Sequence, residues 1–442
     1  MAIIPQQELF SWEEIEELGD LERLKLVLEY LPDEGLMRQM EKERGQGRDD
    51  YPVCAVWNSV LAGVVFGHDS IESLRRELKR NGQLRKLCGF NQLKGVAAVP
   101  PEWAYTRFLK SLMSHMGLIE AMFDALVERL CEALPGFGGA LAVDGKGIET
   151  HARERKKLDV PQKPDGRRGV DADWGVKKYQ GEREDGTLWQ KVKSWCGYKL
   201  HLVVDAHHEL PVAFEVTRAS ASEVPEAHRL VDKLEQRHPE LLDECEKFLA
   251  DKGLDDGKLI ERLWDDHGIK PVIDIRNMWK DGESTRLVSG ATNVVYDYKG
   301  TVYCHCPKSD ERYEMAFGGF EKDRGCLKYR CPARHYGLEC AGAAECTVGF
   351  SVRIPLSEDR RIFTPLARSS YAWKRQYKKR TAVERVNSRL DVSFGFEHHF
   401  IRGLEKMKLR CALALCVMLA MALGRVREKQ QEKLRSLVRA AA

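Results

Sequence analysis

Two short apolar runs in this chain each end on an aspartate that a glycine follows within two residues. Residues 141–143 precede Asp144 and Gly145, and residues 248–250 precede Asp251 and Gly253. Short apolar runs bounded by turn residues are typical of buried strands. The pattern predicts a buried sheet that carries one carboxylate at the end of each of two strands.

A third acid, Glu384, lies in a segment of a different kind. Residues 374–385 have a helical composition and contain neither glycine nor proline. Between Arg360 and Arg389 there are ten Lys or Arg and one acid, and that acid is Glu384. A single carboxylate in so basic a segment is what metal binding beside a phosphate backbone requires.

The chemistry that joins these three acids is metal-dependent phosphoryl transfer. Mg²⁺ prefers carboxylate oxygens and leaves positions open for substrate phosphate oxygens. Two such ions, roughly 4 Å apart, can activate an attacking oxygen and stabilise a leaving one. A single aspartate at a strand end is more often a turn former or a helix cap. Three acids in this order and context therefore favour a nucleic-acid enzyme over three unrelated turns.

The spacing around Glu384 resembles that of DDE transposases from bacterial insertion sequences. One branch of that family carries Tyr, two residues, Arg, three residues, Glu, six residues and Lys, and Tyr377, Arg380 and Glu384 fit this motif. At about 100° per residue the three side chains share one face of a helix. Asp391 stands where the family has lysine. We expect its carboxylate to repel the DNA backbone, with Arg389 or Arg402 supplying the missing cation.

Further resemblance lies in residues 197–201, 250–253 and 380–387. It implies an α/β fold in which an RNase H-like mixed sheet forms the catalytic core. It also implies Mg²⁺ or Mn²⁺ as cofactor, with Asp144 bridging two ions and Asp251 and Glu384 each completing one. The residues expected to contact DNA are Tyr377, Lys378, Lys379, Arg380, Arg385 and Trp279.

The implied function is a DNA transposase that acts on terminal inverted repeats and target DNA, as a homodimer on DNA, in the bacterial cytoplasm at the nucleoid. Two alternatives remain open from the residues alone. One is an RNase H-like endonuclease that cleaves without strand transfer. The other is a non-catalytic DNA-binding protein derived from a transposase.

Length and composition bound the organisation of the chain. A length of 442 residues suggests two or three domains, and 43% apolar with 31% charged residues is typical of a soluble globular protein. The formal charge is only +3, so any surface for nucleic acid must be local. No charged, apolar and small-residue signal pattern opens the chain. The longest apolar run, 411–423, is too short for a membrane span and is predicted to be a buried helix.

Three domains are predicted. Residues 1–135 form a helical domain for DNA binding or assembly, including one helix from Glu102 to about Leu134, and the breaker at 135–139 ends it. Residues 136–401 form the catalytic domain, with a charged, glycine-rich loop at 153–193 and an insertion at 277–370. Residues 402–442 form a C-terminal helical segment.

The insertion contains a concentration of cysteines at about 300–348. Tetrahedral Zn²⁺ takes four Cys or His ligands, with close pairs on turns. The predicted zinc ligands are Cys331, Cys340 and Cys346 with Cys306, or with Cys304 in its place. The alternative is that these are small reduced cysteines of a core.

Overall fold

The computed structural model describes residues 19–46, 50–152, 171–183 and 187–435, which divide into two compact units. The first unit takes its residues from 1–133, 150–170 and 389–442, and the second from 134–149 and 171–388.

The first unit is helical. Its N-terminal helices are α1 (Leu21–Tyr30), α2 (Glu34–Arg44), α3 (Val53–Val65), α4 (Ile71–Arg80), α5 (Gly82–Cys88), α6 (Glu102–Ser114) and α7 (Met116–Ala133). The single helix predicted from Glu102 to Leu134 is therefore wrong in one respect, because the chain breaks at His115 into α6 and α7. Leu24, Leu61 and Leu126 have no exposed surface and belong to the core of this unit.

A C-terminal helix runs through the core of the same unit. It spans Leu404–Arg427 and every residue from 411 to 424 is buried, as predicted for the apolar run. It packs against α7, α1 and α3. By length and composition alone this helix could cross a membrane, but 83% of its most apolar window is buried within the chain. The predicted C-terminal segment is thus part of the helical unit.

A six-stranded mixed sheet forms the base of the second unit. Its strands are β1 (Ala140–Glu149), β2 (Asp173–Glu182), β3 (Leu188–Asp205), β4 (Leu210–Arg218), β5 (Lys247–Ala250) and β6 (Lys270–Ile273). β1 lies between β3, its antiparallel neighbour, and β5, its parallel neighbour. β4 pairs with β3 at one side and β6 with β5 at the other. This order confirms the predicted α/β class with an RNase H-like mixed sheet.

The charged segment 153–193 was predicted to be a loop, but part of it forms strands. β2 and the first half of β3 pair along their whole length there, from Asp173↔Gly197 to Glu182↔Leu188. Both strands contain aromatic and β-branched residues, which favour extended backbone: Trp174 and Val176 in β2, and Trp189 and Val192 in β3. Residues 153–170 and 184–186 of the predicted loop lie outside the described residues.

Three helices connect the parallel strands: α8 (Glu223–Arg237), α9 (Pro239–Glu244) and α10 (Gly257–Asp265). The predicted insertion then forms two small antiparallel sheets. One contains β7 (Arg286–Leu287), β8 (Val294–Tyr296), β9 (Val302–His305) and β10 (Arg312–Glu314), and the other β11 (Ala316–Glu321), β12 (Cys326–Arg330) and β13 (Ser351–Pro355). A short helix, α11 (Pro332–Tyr336), follows β12. Both sheets share a core that includes Val302, Leu327, Tyr329 and Ile354.

After the insertion the chain forms α12 (Tyr371–Tyr377), a 3₁₀ turn (Lys378–Arg380) and α13 (Thr381–Phe394). Ser370 caps α12, since its hydroxyl accepts a hydrogen bond from the Trp373 N–H. The 3₁₀ turn contacts β1 and β5, which brings the motif around Glu384 to the central strands of the sheet.

Candidate active site

Asp144 and Asp251 occupy equivalent positions on neighbouring strands. In the parallel pairing of β1 with β5, Ala142 lies opposite Leu249. Each aspartate is two residues further along its chain, so both side chains project to the same side of the sheet. The two carboxylates are close enough for the charge of Asp251 to raise the pKa of Asp144.

Asp144 was predicted to lie at the end of its strand, and this prediction is wrong. β1 continues to Glu149, and Asp144 pairs with Leu202 of β3 in the middle of the ladder. The antiparallel partner β3 supports the strand past the point where β5 stops. Asp251 does follow directly on its strand, where it caps a 3₁₀ turn and accepts a hydrogen bond of 2.7 Å from the Gly253 N–H.

The surroundings of Asp144 disfavour its negative charge. Burial raises the pKa of this carboxyl to about 6, and the charges of Asp251 and Glu223 act in the same direction. The ammonium of Lys177 and the Gly145 N–H oppose the shift, the latter with a hydrogen bond of 2.8 Å. Burial is the main cause of the shift, and a divalent cation beside Asp144 would favour its charged form.

Glu384 stands in the first turn of α13 and is paired with Arg380. The guanidinium Nη2 lies 2.7 Å from Glu384 Oε1, and the Glu384 side chain is half-exposed while that of Arg380 is largely covered. Glu384, Tyr377 and Asp144 all favour the charged form of Arg380, which outweighs the effect of burial and raises its pKa. Arg380 thus lies within electrostatic reach of both Glu384 and Asp144.

Tyr377, Arg380 and Glu384 lie next to one another as predicted, although they are not in one continuous α-helix. The 3₁₀ turn at 378–380 interrupts the single helix predicted there. Arg380 still lies over the Tyr377 ring, 5.7 Å from its centroid, and still reaches Glu384. Tyr377 in turn stacks on Trp373 at 4.7 Å between ring centroids, so packing fixes its ring. Burial raises the pKa of Tyr377, as does the charge of Asp274.

The other residues predicted to contact DNA fall into two groups. Lys378 and Lys379 are exposed on the 3₁₀ turn. Arg385 instead binds the buried Glu209, with 2.7 Å from Nε to Oε1. Trp279 is partly buried against the insertion core, where Arg286 lies 4.4 Å above its ring and Tyr296 meets its edge.

Asp391, the departure from the family motif, lies two turns after Glu384 on α13. It is partly buried and takes part in an interaction of its own. Its carboxylate is therefore part of the local packing.

Five cysteines of the insertion line one pocket: Cys304, Cys306, Cys331, Cys340 and Cys346. These include the four predicted zinc ligands and the named substitute. Burial, and the neighbouring sulfurs of Cys331, Cys346 and Cys340, raise the pKa of Cys304 to about 11. Cys306 differs, because hydrogen bonds from Ser309 and the Lys308 and Gly342 N–H groups lower its pKa to about 7.

Neither candidate metal site is arranged for coordination as it stands. Over the ranges that the structure describes, no three His, Cys, Asp or Glu side chains form a group that could hold a metal ion. In the active site, Glu384 binds Arg380. The oxygen donors of Asp144 and Asp251 nevertheless fit a hard divalent cation.

A comparison with known protein families identifies the family of this chain. The sequence model described as "Transposase DDE domain" matches residues 135–420, well over half of the chain. The chain belongs to this transposase family. It is a DNA transposase, its partner is DNA, and transposases of this family use divalent metal ions.

Other comparisons add little. No curated protein matches the chain in sequence. Among solved structures, the piggyBac transposase synaptic complex with hairpin DNA matches with a TM-score of 0.36 and 10% identity, over 95% of this chain and 79% of that chain. The assignment of the transposase rests on the family match alone.

Glu223, an acid whose charge acts on Asp144, was not predicted from the sequence. It is the first residue of α8, and in sequence it looks like an ordinary acid of a first helical turn. The signal that could have found it is the pair Gly145 and Gly253, since a residue without a side chain beside each aspartate leaves room for another group.

Proposed function

We propose that Asp144, Asp251 and Glu384 hold the divalent cations with which this transposase cuts its element ends and joins the freed 3′ hydroxyls to target DNA. The observation that carries the proposal is the in-register pair Asp144 and Asp251, beside the turn that precedes Glu384. Mg²⁺ or Mn²⁺, when bound, would activate the attacking oxygen and stabilise the leaving one.

The residues of the chain divide the remaining work. Asp144, Asp251 and Glu384 would hold the cations, with Asp144 shared between the sites that Asp251 and Glu384 would complete. Arg380, which binds Glu384 in this structure, would then bind the phosphate beside the scissile bond. Tyr377, fixed by its stacking on Trp373, positions that same phosphate. Catalysis by positioning and electrostatics needs no covalent protein intermediate.

DNA reaches this site along the exposed lysines of the 3₁₀ turn. Lys378 and Lys379 contact the backbone without reading its sequence. The terminal inverted repeats and the target duplex are the two DNA partners, and a homodimer brings two element ends together. The place of action is the bacterial nucleoid in the cytoplasm. Trp279 contacts a base only if it exchanges its packing against Tyr296 for that base.

The test uses three substitutions, Asp144→Asn, Asp251→Asn and Glu384→Gln. Each removes the charge of a ligand and changes the shape of the side chain little. With a plasmid that carries the gene and its flanking DNA, in Mg²⁺, we expect cleavage to fall by at least about a thousandfold, equivalent to about 4 kcal/mol in the barrier. DNA binding, measured by gel shift, should persist.

The matched control is Asp232→Asn, which changes an exposed acid of α8 that pairs with Arg262. It should cleave at the wild-type rate. Wild-type cleavage by any one of the three site variants would remove that residue from the site.

We also propose that the cysteine pocket of the insertion binds one structural Zn²⁺. Cys331, Cys340 and Cys346 with Cys306 are the ligands, and Cys304 is the alternative to Cys306. Several N–H groups already donate to the sulfurs, among them that of Gly342 to Cys306 at 3.3 Å and the Asn293 amide to Cys346 at 3.4 Å. Such hydrogen bonds favour thiolates, the form that binds zinc.

Metal analysis of protein purified without a metal-binding tag tests the zinc proposal. We expect one zinc per chain in the wild type and in Cys326→Ser, whose thiol lies outside the pocket. Cys331→Ser should lose the zinc and unfold the insertion, because a small loop-rich module depends on its metal. Wild-type protein without stoichiometric zinc, and with freely reactive thiols, would favour reduced core cysteines.

A further inference from the structure

Glu223 lies between two glycines that follow the proposed metal-binding aspartates, Gly145 in β1 and Gly253 in the turn after β5. A methyl group placed on Gly145 would be 2.9 Å from Glu223 Oε1, and one placed on Gly253 would be 3.0 Å from Glu223 Oε2. The methyl group on Gly253 would also lie 2.8 Å from Asp251 Oδ1. One oxygen of Glu223 therefore lies beside Gly145, and the other lies beside Gly253.

The cations beside Glu223 hold it loosely. Lys199 Nζ is 3.5 Å from Glu223 Oε1 and Lys177 Nζ is 3.9 Å from it. Each lysine makes its short hydrogen bond elsewhere, Lys199 to the Ala221 carbonyl at 2.9 Å and Lys177 to the Gly145 carbonyl at 2.8 Å. The two ammonium groups are therefore fixed by the backbone, and Glu223 lies near them without a close contact.

Structural acids elsewhere in this unit are bound more tightly. Glu209 meets Arg385 at 2.7 Å, and Asp255 meets Arg361 at 2.7 Å and also accepts the Arg276 N–H at 2.8 Å. Across the residues that the structure describes, Glu223 accepts no comparable hydrogen bond, and its side chain keeps about a fifth of its surface exposed. An acid with a purely structural role would be expected to resemble Glu209.

The charge balance points to the same role. The charges of Asp251 and Glu223 both act on Asp144, and with Glu384 these four acids are accompanied by three cations, Lys177, Lys199 and Arg380. A cation among Asp144, Asp251 and Glu223 would have oxygen ligands from three separate elements, β1, the turn after β5, and the start of α8. Oxygen ligands from several directions are what Mg²⁺ and Mn²⁺ require.

We propose that Glu223 is a fourth carboxylate ligand of the divalent-cation site, which it enters from α8 between Asp144 and Asp251. This inference rests on the proposed function of the two aspartates. Lys177 and Lys199 lie near the Glu223 carboxylate. As a ligand, Glu223 would turn its oxygens from the lysines towards the cation.

The test measures Mn²⁺ binding to the full chain without DNA, by electron paramagnetic resonance of the free ion. Glu223→Gln should weaken Mn²⁺ binding at least tenfold. Glu223→Asp keeps the charge on a shorter side chain and should weaken it less. Circular dichroism checks that each variant is folded. If Glu223→Gln does not fold, the Mn²⁺ affinity of Glu223→Asp is the deciding measurement. The matched control is Glu235→Gln on the same helix, an exposed acid paired with Arg262, which should bind Mn²⁺ like the wild type.

Asp144→Asn and Asp251→Asn distinguish a failure of the Glu223 inference from a failure of the proposed metal site. If both aspartate variants lose Mn²⁺ and both Glu223 variants bind it like the wild type, Glu223 is only a partner of the lysines and the inference is overturned. If the aspartate variants also bind Mn²⁺ like the wild type, the metal site itself has been placed wrongly.

Discussion

Asp144 shows how a single residue can serve catalysis at the expense of stability. Its carboxyl is buried beside two other acids, with Lys177 as the main opposing charge. Burial of a charge without full compensation destabilises the folded state. The negative charge of Asp144 therefore destabilises the folded chain, and a divalent cation bound beside it would offset this cost.

Asp144→Asn should stabilise the metal-free protein at pH 7 by roughly 1–3 kcal/mol, because a folded-state pKa of about 6 exceeds the ordinary value of 3.8 by about two units. A raised carboxyl pKa means that the folded state binds a proton more tightly than the unfolded state. The wild type therefore loses stability as the pH rises from about 4 to about 6, and the variant does not.

Urea unfolding in EDTA at pH 4 and pH 7 measures this difference. The gain in the variant should be present at pH 7 and small at pH 4, and Asp232→Asn should show neither effect. An Asp144→Asn protein that is less stable than the wild type at pH 7 would contradict the assignment of an uncompensated charge.

At the scale of elements, Arg385 anchors α13 to the hairpin between β3 and β4. Its partner Glu209 is almost fully buried and has a φ of 60°, a left-handed conformation that favours glycine. A strained, buried acid that faces α13 indicates a contact which fixes the helix one residue after Glu384. Arg385 therefore has a positioning role, besides the DNA contact predicted for it.

Arg385→Ala should slow cleavage while DNA affinity changes little, because the guanidinium is engaged by Glu209. Loss of the contact between Arg385 and the buried Glu209 should cost about 1–3 kcal/mol of stability. Lys379→Ala is the matched comparison on the exposed turn, and it should weaken DNA binding and reduce the slope of log affinity against log salt by about one. Binding assays across a salt series, with cleavage rates, distinguish the two. If Arg385→Ala changes the salt slope as Lys379→Ala does, the main role of Arg385 is to contact DNA and not to position α13.

The elements were predictable from the sequence where the signal was local. The apolar runs before Asp144 and Asp251 are strands, and the run at 411–423 is a buried helix. The continuation of β1 past Asp144 was not predictable, because it depends on the ladder with β3. The ribbon of β2 and β3 was missed because its charged residues resemble those of a solvated loop. Glu223 was missed because its nearness to the aspartates exists only in the fold.

At the scale of the whole molecule, chain order and spatial order differ. The N-terminal helices and the C-terminal helix, more than 250 residues apart in sequence, form one unit around a shared core. Local patterns identify both as helical, but they carry no information on which helix buries which. The three acids proposed as metal ligands come from three distant positions in the other unit, and only the family resemblance predicts that they belong together.

The central claim is that these acids bind the cations that drive DNA cleavage, and a change of metal preference tests it most directly. Asp251→Cys replaces a hard oxygen ligand by sulfur, which Mn²⁺ accepts better than Mg²⁺ does. On the plasmid that carries the gene and its flanking DNA, we expect this variant to be inactive in Mg²⁺ and to regain measurable cleavage in Mn²⁺. Asp232→Cys should cleave in both metals. Cleavage by Asp251→Cys at the wild-type rate in Mg²⁺ would contradict the account.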